Sequence, residues 1–224
     1  MTLDKQSTNE INIDDDFESA LKLAYKLYYS GSTFIYPTDT IYGFGANPFN
    51  KEAIDEISRI KQRSEDKKYI LLIPGIDTLM RYCKFVDDIH VDFLMRIWPN
   101  PISVILPLNT ETAEIFECES AAFRIPAHHF CQKLLETISA PLISTSVNRS
   151  GEPPLNDYEN ILQEFRDDVK TIFYSHKTQQ RISSTVIDLT SQRPVLIRQG
   201  RMSYSFITQE FNETVAEYSK KAGK

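Results

Sequence analysis

Apolar residues recur at helical spacing from Phe17 through Leu21, Ala24, Tyr25 and Tyr28, and Gly31 follows as a stop. The β-branched and aromatic run Thr33-Phe34-Ile35-Tyr36, halted by Pro37, predicts a buried strand that empties into the polar loop PTDTIYGFGANP. Asn50 can cap a second helix with Ala53, Ile54, Ile57 and Ile60 on one face, leading into Lys61-Gln62-Arg63. Tyr69 to Ile73 reads as a strand closed by Pro74-Gly75, Asp77 as the cap of a short helix to Lys84, and Ile89, Phe93, Leu94, Ile97 and Trp98 as one side of a longer helix.

Further along, the segment from Ile102 and the segment Ala121 to Ile125 predict strands, with Phe130, Leu134, Leu135 and Ile138 marking the helix after them. Pro141 to Ser146 is a strand ending in the loop NRSGEPPLN, and Asp157 caps a helix bearing Tyr158, Ile161, Leu162 and Phe165. Thr171 to Tyr174, Thr185 to Leu189 and Val195 to Arg198 read as strands, and Phe211, Val215 and Tyr218 as a terminal helix. Strands alternating with helices predict an α/β domain, and the adjacent late strands predict a mixed rather than fully parallel sheet.

Composition narrows the function. The 224 residues carry 25 Lys plus Arg against 31 Asp plus Glu, a formal charge of −6, which argues against a surface that is basic throughout and built for nucleic acid. The polar, acidic start and the lack of any run near the about 18 apolar residues of a membrane span predict a cytoplasmic protein with no membrane partner. Cys83, Cys118 and Cys131 lack CxxC spacing and are expected as buried free thiols. There are only 7 glycines, a share well under the average of about 7 %. No Walker A sequence occurs, and Gly43-Phe-Gly45 is followed by Pro48 where a dinucleotide fingerprint needs its third glycine. A nucleotide bound here must have its phosphates held mostly by side chains.

Polar and cationic residues cluster where predicted strands end or helices begin, which is where α/β folds build sites. These places are Thr38-Asp39-Thr40 with Tyr42 and Gly43; Lys61-Gln62-Arg63 with Lys67 and Lys68; Ser144 to Asn148; and Ser183-Ser184-Thr185 with Arg198-Gln199-Gly200-Arg201. Turn capping is the plain alternative for the hydroxyl groups, and complementing a helix macrodipole for the lysines. His128-His129 has no third ligand at metal spacing and reads as a surface or core pair, and Trp98 reads as core.

Taken together, PTDTIYGFG at Pro37 to Gly45, KQR at Lys61 to Arg63, WPNPISVILP from Trp98, AAFRIP from Ala121, STSVNRSGEPP from Ser144, STVIDL from Ser184 and LIRQG from Leu196 resemble the YrdC family, the threonylcarbamoyl-AMP synthases of tRNA modification. The resemblance runs from Thr33 to Arg201. It implies a single YrdC-like catalytic domain over residues 16–207, a twisted mixed parallel and antiparallel sheet flanked by helices around a central concave basic pocket. A polar tail (1–15) precedes it and a C-terminal helix and tail (208–224) follow, as in the family's short form.

The implied reaction forms threonylcarbamoyl-AMP and pyrophosphate from L-threonine, bicarbonate and ATP with Mg²⁺. A partner threonylcarbamoyl transferase then modifies ANN-decoding tRNAs, with weak RNA binding by the synthase itself. The resemblance assigns Lys61 and Arg63 to catalysis. It assigns Arg63, Lys67, Ser120, Asn148, Asn156 and Arg198 to ATP, and Thr40, Arg124, Ser146 and Ser184 to threonine, with no protein-held metal. This chain departs from the family at Ser64 and His129, where prolines are usual, and at Arg149, where leucine is common; Arg149 either adds a cation near the nucleotide or is merely solvated. The alternative is a non-catalytic paralogue that binds RNA or ribosomes, disfavoured because such chains lose the KxR or SxN signature retained here. Carbamoyl-adenylate chemistry of the hydrogenase-maturation type requires zinc fingers that three scattered cysteines cannot supply.

Overall fold

The structure, a computed structural model, describes residues 8–62, 69–84, 88–177 and 181–222. Among the described residues ten strands form one sheet: β1 (Asn9–Asn12), β2 (Phe34–Tyr36), β3 (Gly43–Gly45), β4 (Ile70–Leu72), β5 (Ile102–Pro107), β6 (Ser120–Arg124), β7 (Leu142–Ser146), β8 (Thr171–Tyr174), β9 (Thr185–Asp188) and β10 (Val195–Arg198). Their spatial order is β1-β8-β2-β3-β7-β4-β6-β5-β9-β10. The sheet is mixed, as expected: β8 runs parallel to β1 and β2, β4 to β6 and β5 to β9, while the other neighbours are antiparallel.

The helices are α1 (Phe17–Tyr29), α2 (Lys51–Lys61), α3 (Ile76–Leu79), α4 (Asp88–Ile97), α5 (Thr110–Phe116), α6 (His129–Ile138), α7 (Tyr158–Phe165) and α8 (Tyr204–Ala222). The Asn50 carboxamide accepts from Ala53 N at 2.8 Å and the Asp157 carboxylate from Asn160 N at 3.1 Å, so both predicted caps form. Asp77 does not cap α3, whose cap residue is Gly75 in extended geometry, with Asp77 inside the first turn.

Three further features depart from the sequence reading. Asn9–Asn12 lies within the segment expected to be tail, yet pairs with β8 as an edge strand. Gly43–Gly45, expected as loop, is a strand between β2 and β7. The terminal helix begins at Tyr204, ahead of the expected residue 208. Cys83 and Cys131 are buried free thiols, whereas Cys118 is only half-buried; burial pushes the Cys83 thiol up to about 12.

Period-two alternation sends successive strand residues to opposite faces, and both faces are used. Ile35, Leu71, Ile143 and Ile172 join one apolar cluster with α2, α4, α7 and α8. Their neighbours Phe34, Tyr36, Leu72, Leu142 and Phe173 join a second cluster under α1 and α6. That second helical layer does not extend over the whole sheet. On β5, β6 and β9, Val104, Phe123 and Ile187 pack into the first cluster, while the alternate residues Ile105, Ala122 and Val186 line a cavity.

Candidate functional site

The cavity has a volume of about 470 Å³, and its wall includes six of the residues that the resemblance assigns to ligands: Thr40, Ser120, Arg124, Ser146, Ser184 and Arg198. Alternation explains how β7 supplies it, since Leu142 packs under the helices and Ser144 and Ser146, on the same face, enter the cavity. Among the described residues its lining includes two arginines, several hydroxyl groups and no carboxylate.

Arg124 is 3 % exposed at the end of β6. Its guanidinium lies 3.4 Å from the Asp39 carboxylate and donates to Thr40 Oγ1 at 3.1 Å. Thr40 Oγ1 is 3.0 Å from Thr38 Oγ1, which donates to Ile41 O at 2.7 Å. Asp39 in turn accepts from Ala127 N at 3.2 Å, and its carbonyl accepts from Arg201 at 3.1 Å. The Thr-Asp-Thr turn therefore fixes one buried guanidinium, whose Nε has no hydrogen-bond partner. That spare donor suits a carboxylate ligand.

Across the cavity, Arg198 donates to Ser184 O at 3.0 Å, and Ser184 Oγ is 2.9 Å from Ser103 Oγ. Burial, and then the neighbouring Arg124 guanidinium, lower the Arg198 pKa. Two cations facing one space call for an anion between them. Gly200 permits this packing of β10 on β9, because a Cβ there would lie 2.3 Å from the Ser184 carbonyl carbon and 2.4 Å from Ser183 O. Its amide donates to Thr185 Oγ1 at 3.0 Å.

Lys61, which the resemblance assigns to catalysis, does not line the cavity. It is 2 % exposed, and its ammonium donates to Ser146 O, to Asn148 O at 3.0 Å and to Asn148 Oδ1 at 2.8 Å, behind the cavity wall. Ser146 Oγ also donates to Asn148 Oδ1, at 2.6 Å. Asn148 is thus turned toward the protein, and Asn156 Oδ1 accepts from Tyr42 N at 3.1 Å, anchoring the loop after β7. None of Lys61, Asn148 and Asn156 walls the cavity. Arg63 and Lys67 lie outside the described residues.

Sequence reasoning overlooked Ser103, fully buried beneath Ser184. The signal was a lone hydroxyl in the apolar run ISVILPL. His129 stacks on Phe17 at 4.9 Å, and His128 Nδ1 lies 3.5 Å from Cys131 Sγ. Among the described residues no group of His, Cys, Asp or Glu is arranged to hold a metal ion. With hydroxyls and guanidiniums as its donors, the cavity fits an anion and does not form a cage for Mg²⁺. No helix among the described residues is long and apolar enough to cross a membrane.

Fold and cavity together define a mixed α/β domain with a cavity lined by hydroxyl groups and arginines. The chain belongs to the Sua5/YciO/YrdC family, whose model, described as "Telomere recombination", matches residues 26–200. A curated threonylcarbamoyl-AMP synthase from Pyrococcus abyssi is 29 % identical over 91 % of this chain, which spans 61 % of that relative's length. The structure of P. abyssi Sua5 complexed with L-threonine has a TM-score of 0.82 at 27 % identity, covering 91 % of this chain and 60 % of the other. E. coli YciO has a TM-score of 0.78 at 26 % identity, covering 88 % of this chain and 97 % of that one.

Proposed function

We propose that this domain is an L-threonylcarbamoyladenylate synthase. The observation that carries the reading is the cavity itself: Arg124, clamped by Asp39 and Thr40, and Arg198 line one space together with several hydroxyl groups and, among the described residues, no carboxylate. The similarity to a P. abyssi synthase and to a threonine-bound Sua5 supports it.

In this reading the threonine carboxylate pairs with Arg124, while Thr40, Ser146 and Ser184 hydrogen-bond its amine and hydroxyl. The threonine nitrogen bonds to the carbon of bicarbonate with loss of water, giving a carbamate. A carbamate oxygen then attacks the α-phosphorus of ATP, and the bond to the β-phosphate bridge breaks to release pyrophosphate. The chain contributes position and fixed positive charge rather than a covalent intermediate. Arg198, Arg63 and Lys67 supply positive charge against the charge that builds on the triphosphate, and Ser120 hydrogen-bonds the nucleotide. Lys61, Asn148 and Asn156 act as positioning residues that shape the end of β7 and its loop. Mg²⁺ arrives bound to ATP as part of the substrate. The product passes to a threonylcarbamoyl transferase that forms N6-threonylcarbamoyladenosine in ANN-decoding tRNAs.

The test is pyrophosphate release from MgATP by purified protein, with mass spectrometry of the nucleotide product. Release should require both L-threonine and bicarbonate and yield threonylcarbamoyl-AMP, and Arg63→Ala should abolish it without unfolding the chain. Release unchanged when threonine is omitted would overturn the reading. Tight RNA binding with steep salt dependence and no ATP turnover would favour the non-catalytic alternative.

A further inference from the structure

The hydroxyls of Thr40, Ser146 and Ser184 do not offer a ligand the same thing. Each has one proton to give and two lone pairs to fill. Thr38 gives its proton to Ile41 O at 2.7 Å, so its 3.0 Å contact with Thr40 Oγ1 uses the Thr40 proton. Thr40 Oγ1 also accepts from Arg124 at 3.1 Å. Ser146 gives its proton to Asn148 Oδ1 at 2.6 Å. The orientation of that carboxamide is fixed by its nitrogen, which donates to Arg149 O at 2.9 Å and Glu152 O at 2.6 Å. Thr40 and Ser146 therefore turn only lone pairs to the cavity.

Ser184 is the reverse case. Its Oγ meets Ser103 Oγ at 2.9 Å, and among the described residues neither hydroxyl has a second hydrogen-bond partner. Ser103 shares a face of β5 with Ile105, which lines the cavity, but is itself fully buried. If Ser184 gave its proton to Ser103, the buried Ser103 proton would have no acceptor, which is costly. Ser103 therefore donates, and Ser184 keeps its own proton to give into the cavity. The Ser184 backbone is already held, since its carbonyl accepts from Arg198 at 3.0 Å and Thr185 N donates to Pro101 O at 3.0 Å. Rotation of its hydroxyl is the freedom that Ser103 removes.

This division of donors and acceptors matches threonine group by group. An ammonium or amine offers N–H bonds, which suit the lone pairs of Thr40 and Ser146. A donor aimed at the nitrogen would be unproductive, because its lone pair must reach the carbon of bicarbonate. With the carboxylate on Arg124, the oxygen left for a donor is the side-chain hydroxyl. We propose that Ser103 is a positioning residue for substrate selection: by donating to Ser184 it makes that hydroxyl the donor that reads the threonine side-chain oxygen. This rests on the synthase reading.

The experiment measures kcat/KM for pyrophosphate release with MgATP and bicarbonate, using L-threonine and L-2-aminobutyrate, which has hydrogen in place of the hydroxyl. Wild type should favour threonine by more than about tenfold. Ser103→Ala should lower kcat/KM for threonine about tenfold and leave that for aminobutyrate within about twofold, so that most of the preference is lost. Ser103→Cys, similar in shape with a weaker donor, should fall between and carries the test if the alanine variant does not fold. A purely structural role would lower both substrates alike. An equal fall for both, an unchanged ratio in a folded variant, or a wild type that uses both equally would overturn the proposal while leaving the synthase reading intact. Release by wild type that needs no amino acid would instead overturn the synthase reading, and the proposal with it.

Discussion

One face of the sheet is built in two ways. Over β2, β8 and the near ends of β4 and β7 it carries Phe34, Tyr36, Leu72, Leu142 and Phe173, sealed under α1 and α6. Over β5, β6 and β9 the same face carries Ile105, Ala122, Val186 and Arg124, and Ser144 and Ser146 of β7 also open on it; these residues line the cavity. β7 crosses from one regime to the other within five residues, from Leu142 to Ser146. The opposite face is apolar under both halves, through Ile143, Val104, Phe123 and Ile187. One layer of helices is enough to hold the sheet, and the missing part of the second leaves room for a ligand.

Substitutions in the two halves should therefore separate stability from ligand binding. Phe130 is 1 % exposed and packs against Phe17 and Phe173 beneath α6. Phe130→Ala should lower unfolding free energy in denaturant by about 3–5 kcal/mol while leaving the KM for threonine unchanged in the folded fraction. Ile105→Ala, facing the cavity, should lower stability by about half as much. Equal losses at the two positions would contradict the division.

Gly200→Ala tests the cavity wall. The added methyl meets backbone at Ser183 and Ser184 rather than a side chain that could swing away. The strain should cost about 1–3 kcal/mol and shift Arg198, raising the KM for ATP without raising that for threonine as much. Unfolding curves and separate substrate titrations check both parts.

The smallest effect is expected at the seam. Burial lowers the pKa of His128 below its usual 6.5, with the nearby Asp39 charge opposing and His129 adding to the shift. The unfolded chain then binds a proton that the folded chain refuses, so this group's stabilising contribution is present at neutral pH and declines as pH falls below about 6.5. His128→Gln should flatten that part of the stability profile between pH 7 and 5, measured by denaturant midpoints. A variant as pH-sensitive as wild type would assign the effect elsewhere.

Elements with a strong period were legible without coordinates. The stripe Ala53, Ile57 and Ile60 marks α2, and Asn50 and Asp157 cap their helices as their side chains allow. β1 was not legible, because Asn9-Glu10-Ile11-Asn12 has little β propensity and is held by parallel pairing to β8, more than 150 residues away in the chain. β3 was hidden by its glycines, which usually signal a loop. The strand takes glycine at both places because of close packing: a Cβ at Gly45 would lie 2.6 Å from the Phe34 ring, and one at Gly43 2.9 Å from Ser144 Oγ. α5 could have been found, since Asn109 accepts from Thr112 N at 2.9 Å as an ordinary cap.

The candidate site divides in the same way. Clusters at strand ends were enough to single out Thr40, Ser146, Ser184 and Arg198, because strand termini in such folds gather around one space, whereas Arg124 was named only through the family resemblance. The sequence could not tell which cations face that space. Lys61 and Arg149, both strongly basic in one dimension, are each taken up by protein oxygens, whereas Arg124 keeps an unpartnered Nε beside the cavity.

Local periodicity and capping thus determined most of the helices and most of the strands, because those depend on neighbours within a few turns, and the quoted motifs carried the resemblance to the family. Tertiary structure alone decided where the helical layer stops, which face of β7 opens, and which of the scarce cations line the cavity. Those outcomes depend on pairing between distant strands, and a buried charge takes its character from the partners that folding brings to it.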